Sequence, residues 1–185
     1  SLLEVNASQR DKDFIMAVNW RMAEQLAKDG KGKRVPGKHH SNWWNHHTHS
    51  AETTVYEDVL QLDPKEHPGL LYFMPCPKSP HGCDVDPSGK YIIGSGKLAA
   101  LIPVFSFEKM KAAIAANDLE GDYDGIPVLK YESVLHGEVK KPGLGPLHTE
   151  FDANGNAYTS MFVSSEIVKW NVQSLEVLDR VPTYY

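Results

Sequence analysis

Long apolar runs are missing from this chain of 185 residues. No stretch approaches the roughly 18 consecutive apolar residues that a bilayer-spanning helix needs, so no helical membrane insertion is expected. A surplus of positive charge is missing too. The net charge is −5 and the pI near 6.0, which argues against a nucleic-acid partner or an anionic membrane surface. Cysteine is scarce: Cys76 and Cys83 are too few for a disulfide framework and leave the redox compartment unread. Their C-x6-C spacing is weak for a metal pair, and the prolines at 75, 77 and 80 stiffen it against closure into a disulfide. An initiating methionine and a targeting pattern are absent as well, and the last residues, Tyr184 and Tyr185, read as a strand. The expectation is a fragment of a longer protein. What remains is ordinary for a folded soluble chain, with 41% hydrophobic and 23% charged residues.

A repeat organises the sequence. HGCDVDPSGKYII (residues 81–93) and LHTEFDANGNAYT (residues 147–159) each run from an alternating segment into an Asp-x-x-Gly turn and out into a second alternating segment. The turns DPSG and DANG supply the residues a tight hairpin needs, and they lie 66 residues apart. FIMAVNW, LIPVFSF and EIVKWNV each read as an outgoing strand that closes a unit. The first two lead into short helices, capped by Asn19 and Ser106 and ended near Gly30 and near Asn117-Asp118. Such repetition predicts an all-β chain: a partial β-propeller of about two blades plus an edge, with short helices in the inter-blade insertions. A propeller needs at least about four blades to close, which again points to a fragment; the alternative is a small β-sandwich. Residues 31–54 and 118–145 read as loop insertions.

Histidine is the abundant metal-capable residue. Five of nine fall within HHSNWWNHHTHS, at His39, His40, His46, His47 and His49. Imidazole suits zinc or copper. Yet this segment has no cysteine or carboxylate at zinc-site spacing, and ligands are held better on strands than on loops. It is therefore expected to be a solvated or interface loop packed down by Trp43 and Trp44. His81 and His148 stand at nearly equivalent places in the two repeats, one residue out of step. From position alone, each is either a ligand on a propeller axis or a cap for local backbone groups. His67 and His136 read as surface residues in turns. Asp13, ahead of an apolar strand, is either a hard-cation ligand or a strand-edge charge.

SPHGCDVDPSGKYIIGSGKL, followed by LGPLHTEFDANGNAYTSMFVSSEIVKW, resembles the nitrous oxide reductase family. The likeness runs through nearly the whole chain and is thinnest across the histidine-rich insertion. PHGCDVDPSG and IPVFSFEKM bring it nearest to the family's atypical branch. The resemblance implies that residues 1–185 are part of an N-terminal seven-bladed propeller bearing a four-copper, sulfide-bridged cluster, CuZ, held by seven histidines. It also implies a C-terminal cupredoxin domain, outside this chain, carrying the dinuclear CuA centre. Family members work in the periplasm as head-to-tail homodimers, with electrons supplied by a c-type cytochrome or similar donor. CuA of one subunit serves CuZ of the other in the two-electron reduction of N2O to N2 and water.

Carried over by motif, the histidine of PHG is His81 and that of GPLHT is His148. Both are implied copper ligands of the catalytic cluster, and the other five ligands fall outside the chain. The family also binds calcium: Asp13 matches an aspartate ligand, Ala7 a backbone-carbonyl position, and Ser79 stands where the better-known branch has asparagine. No loop histidine matches a ligand. The fragment alone is expected to be inactive. The competing function is a non-catalytic propeller that binds or scaffolds partners, with a histidine-rich surface loop.

Overall fold

The computed structural model describes residues 13–35, 43–45, 50–52 and 58–184. Two compact units divide the chain: Val18–Leu71, and a larger one made of Ser1–Ala17 with Tyr72–Tyr185.

Strand β1 (Asp13–Val18) is the first described element and, but for Val18, belongs to the larger unit. In the smaller unit, helix α1 (Trp20–Lys28) starts at Asn19, whose side chain accepts the Met22 N–H, and stops before Gly30 at φ +67°. Short strands follow: β2 (Lys33–Val35), β3 (Trp43–Asn45), β4 (Ser50–Glu52) and β5 (Val59–Gln61). β2 pairs with β5, and β3 with β4, both antiparallel. Residues 31–54, read as loop, thus contain strand segments. A histidine- and lysine-rich stretch gives no period-2 signal from which to read them.

The larger unit resumes with β6 (Leu71–Cys76), β7 (Pro80–Val85), β8 (Tyr91–Gly96) and β9 (Leu101–Ser106). Helix α2 (Phe107–Ala116) begins at Ser106, whose hydroxyl accepts the Lys109 N–H, and ends at Asn117 in the left-handed region. Next come the hairpin β10 (Leu119–Tyr123) and β11 (Ile126–Leu129), helix α3 (Tyr131–Val134) and β12 (Leu135–Lys140). The last repeat supplies β13 (Pro146–Phe151), β14 (Asn156–Met161), β15 (Glu166–Asn171) and β16 (Val177–Pro182).

Three four-stranded sheets result. Two are whole blades, in the orders β7-β8-β9-β12 and β13-β14-β15-β16. The third joins β1 and β6 to the inserted hairpin, in the order β1-β6-β11-β10. All-β architecture with two blades and a leading edge is what the repeat predicts. The outgoing strands need correcting, because LIPVFSF and EIVKWNV form the third strand of their blades rather than the last. The closing strands are β12 and β16, and the helix α2 lies within a blade, between its third and fourth strands. The insertion at 118–145 is likewise not a loop. Asp124 at φ +52° and Gly125 at φ +77° form the two-residue turn of the β10–β11 hairpin, and Asp122 Oδ1 accepts the Gly125 N–H at 3.1 Å.

The core explains why the blades stack. In β8, Ile92 turns to a cluster with Ile15, Met74, Phe105, Met110 and Leu129. Its neighbour Ile93 turns the other way, to Val104, Val139, Met161 and Trp170. Successive side chains on a strand point to opposite faces, so a run buried throughout marks a sheet covered on both sides. The final blade alternates instead. Val168 and Trp170 are fully buried, whereas Ile167 and Val181 of the other face are exposed.

Candidate metal centre

The two repeats place their turns in the same way. In DPSG, Asp86 accepts N–H groups from Ser88, Lys90 and Tyr91. In DANG, Asp152 accepts from the N–H groups of Asn154 and Asn156, from the Asn156 amide and from the Tyr158 hydroxyl. Burial opposes ionisation of Asp86, but the Ser88, Tyr91 and Lys90 hydrogen bonds outweigh it and hold its carboxyl below the ordinary value. Asp152 is held well below by the Asn156 side chain and backbone first, with Asn154 and Tyr158 adding to them. Each turn is a fixed origin from which the strand runs back to its histidine.

At the far end of each strand the ladder breaks. Pro80 faces Gly96, but Gly82 faces Ser95, so β7 carries one residue more than β8 across this step, and that residue is His81. Pro146 faces Met161 and Thr149 faces Thr159, which leaves β13 one residue over between Leu147 and His148. These are β-bulges, which re-aim a side chain that a regular ladder would fix. At the second bulge the Ser160 hydroxyl stands in for ladder partners, lying 3.5 Å from the His148 N and 3.4 Å from the His148 carbonyl oxygen.

The bulged strands touch. A Cβ at Gly82 would lie 1.9 Å from the Leu147 carbonyl oxygen, so only glycine allows β7 and β13 this approach. The His81 and His148 rings consequently meet edge to face, with centroids 5.0 Å apart. Asp84 ties the strands further. Its Oδ2 accepts the Thr149 N–H at 2.8 Å and its Oδ1 lies 3.4 Å from His148 Nδ1. Desolvation, then His148 and then Lys97, lower the His81 pKa against the opposing pull of Asp84. A lowered value favours the neutral imidazole, the form that binds metals.

The other candidates fall in different places. Asp13 Oδ2 accepts the Ser79 N–H at 2.6 Å, two residues before His81, so those two residues do meet. Ser79 is buried and left-handed, at φ +59°. Ala7 lies outside the described residues, as do His39, His40, His46, His47 and His49; of the Trp43–Trp44 segment only the backbone is described. Cys76 is buried, its thiol pushed up to about 12 by burial first and then by Cys83 and Asp13. His67 and His136 are not free surface residues. Both bury Nε2 with no hydrogen-bond partner among the described residues, and His136 sits within β12 with its ring 4.5 Å from that of Tyr91. Among the described residues, no group of three or more His, Cys, Asp and Glu could hold a metal.

No family model matches the chain. Individual relatives do. The nitrous-oxide reductase of Pseudomonas fluorescens is 38% identical over 171 residues, which cover 89% of this chain and 22% of that protein. The chain belongs to the nitrous-oxide reductase family. The enzymes of the same name from Stutzerimonas stutzeri and Ralstonia nicotianae are 39% and 38% identical over 101 and 112 residues. Those matches cover 55% and 60% of this chain and 14% and 15% of the relatives. The chain therefore spans between 14% and 22% of the length of these three relatives. Among solved structures, a complex of the dihydro-heme d1 dehydrogenase NirN is 16% identical over 60% of this chain and 30% of that one. Its TM-score of 0.26 decides nothing about the fold, which rests on the blade topology.

Within this family setting, His81 and His148 are the histidine candidates that the fold brings together, beside the Asp13–Ser79 pair. Asp84 is the residue that sequence reasoning passed over. A hint lay in PHGCD, where a carboxylate follows the histidine at three residues.

Proposed function

We propose that this chain is part of the copper-bearing propeller of a nitrous oxide reductase of the atypical branch, and that His81 and His148 are two ligands of its CuZ centre. The observation that supports this most is the convergence of two histidines from separate blades, each at a β-bulge, with rings 5.0 Å apart. The donor set fits copper. Two imidazoles suit it, and the carboxylate beside them that would attract a hard cation, Asp84, is engaged with the Thr149 N–H. When bound, the cluster supplies an electron-rich centre for the reaction N2O + 2H⁺ + 2e⁻ → N2 + H2O. The chain's own part is placement. Gly82 lets the two strands close, and the bulges turn the imidazoles off their ladders toward one another.

Two donors do not complete a multinuclear site, so the remaining ligands belong to other parts of the whole protein. The proposal extends to a cupredoxin domain carrying CuA, and to a head-to-tail homodimer in which that domain serves the other subunit. It further includes a c-type cytochrome or similar donor, a periplasmic location and no nucleic-acid partner. A calcium ion would use the Asp13 carboxylate and the Ala7 carbonyl. Among the described residues no helix is long and apolar enough to cross a membrane.

The test is copper content and the visible absorption of the cluster in the whole protein. His81→Ala or His148→Ala is expected to abolish the absorption and N2O reduction, with the fold retained by circular dichroism. Replacing His46, His47 and His49 together is expected to leave both intact. A cluster that survives loss of His81 and His148, or disappears with the loop histidines, would refute the assignment. The 185-residue chain alone is expected to show no methyl-viologen-driven turnover.

A further inference from the structure

His148 is gripped from the neighbouring blade. Asp84 stands on β7, the strand that carries His81, yet both its oxygens address β13. Oδ2 accepts the Thr149 N–H at 2.8 Å, and Oδ1 faces His148 Nδ1 at 3.4 Å. The first contact is a firm anchor. Thr149 is 3% exposed, and its hydroxyl is bound to that of Thr159 at 2.8 Å. The carboxylate is thus placed by backbone, independently of the ring it faces. The His148 side chain is the more open of the two, 59% exposed against 22% for Asp84.

An ionised carboxylate only accepts hydrogen bonds, so the ring nitrogen opposite it is the one that carries hydrogen. The geometry points to Asp84 as a positioning residue that holds His148 in its Nδ1–H tautomer and keeps Nε2 as the lone-pair donor. This rests on reading His148 as a copper ligand. In consequence, PHGCD carries a ligand, His81, and three residues on along the same strand the support of the other blade's ligand, His148. Carboxylates behind metal-bound imidazoles fix both tautomer and ring orientation.

Asparagine separates this role from a merely structural one. Asp84→Asn keeps the shape but offers one acceptor oxygen, which the buried Thr149 N–H claims. The amide NH2 then faces Nδ1 and drives the ring to the opposite tautomer, with hydrogen on Nε2. The experiment uses the full-length protein, copper-free and labelled with 15N-histidine, with the His148 resonances identified by their loss in His148→Gln. Wild type is expected to show a protonated Nδ1 and an unprotonated Nε2, and Asp84→Asn the reverse. Asp84→Ala is expected to show a mixture of the two. On titration with copper, both variants are expected to lose roughly 10–100-fold in affinity at the His148 site.

A wild-type ring protonated at Nε2, or one tautomer shared by wild type and both variants, overturns the proposal. If copper binding is indifferent to His148→Ala while the tautomer still follows residue 84, the ligand assignment fails and the hold of Asp84 on the ring stands.

Discussion

Gly82 decides the site by having no side chain. With a Cβ there only 1.9 Å from the Leu147 carbonyl oxygen, Gly82→Ala forces β7 and β13 apart. The expected cost is roughly 3 kcal/mol, read by chemical denaturation, together with loss of copper although both histidines remain. Asp86 and Asp152 make a second prediction. Both carboxyls are held below their ordinary value in the fold, so their stabilisation is complete above about pH 4 and disappears as pH falls through the lowered folded values. Urea midpoints measured down a pH series are expected to drop below pH 4. Replacing both aspartates with asparagine is expected to lower the neutral-pH midpoint and to flatten that acid drop. An acid limb as steep as in the parent would assign the acid lability elsewhere.

At the scale of elements, the caps and turns were legible in the sequence and the bulges were not. Asn19 and Ser106 read as N-caps because a short polar side chain ahead of a helical run meets an orphan N–H, and both do so. Ser106→Ala is accordingly expected to cost about 1 kcal/mol in thermal or urea unfolding while leaving copper untouched. DPSG and DANG announced their hairpins through turn chemistry. The Asp124-Gly125 turn carries an equally strong signal, masked by surrounding acidic residues that resemble a solvated loop. His81 and His148 were seen to be one residue out of step. The reason was not visible, since a bulge depends on how two strands register and no single strand encodes it. The role of Asp84 is hidden in the sequence for the same cause, because its partners lie 64 and 65 residues away. His136, in VLHGE, reads as a turn residue, but it lies in β12, at the shift of register between Leu135 and Gly137.

At the scale of the whole molecule, the two faces of a blade tell different stories. The blade β7-β8-β9-β12 is apolar on both sides, and each side has a cluster to fill it. The blade β13-β14-β15-β16 buries one side and leaves Ile167 and Val181 exposed on the other. Between the two blades lies Trp170, wholly buried, its indole N–H donated to the Thr159 hydroxyl at 2.9 Å. Thr159 in turn meets Thr149, the residue next to His148. The indole therefore doubles as an optical gauge. Its emission reports whether the two blades remain face to face, and a chain of two hydroxyls connects that reading to the strand beneath the copper ligand.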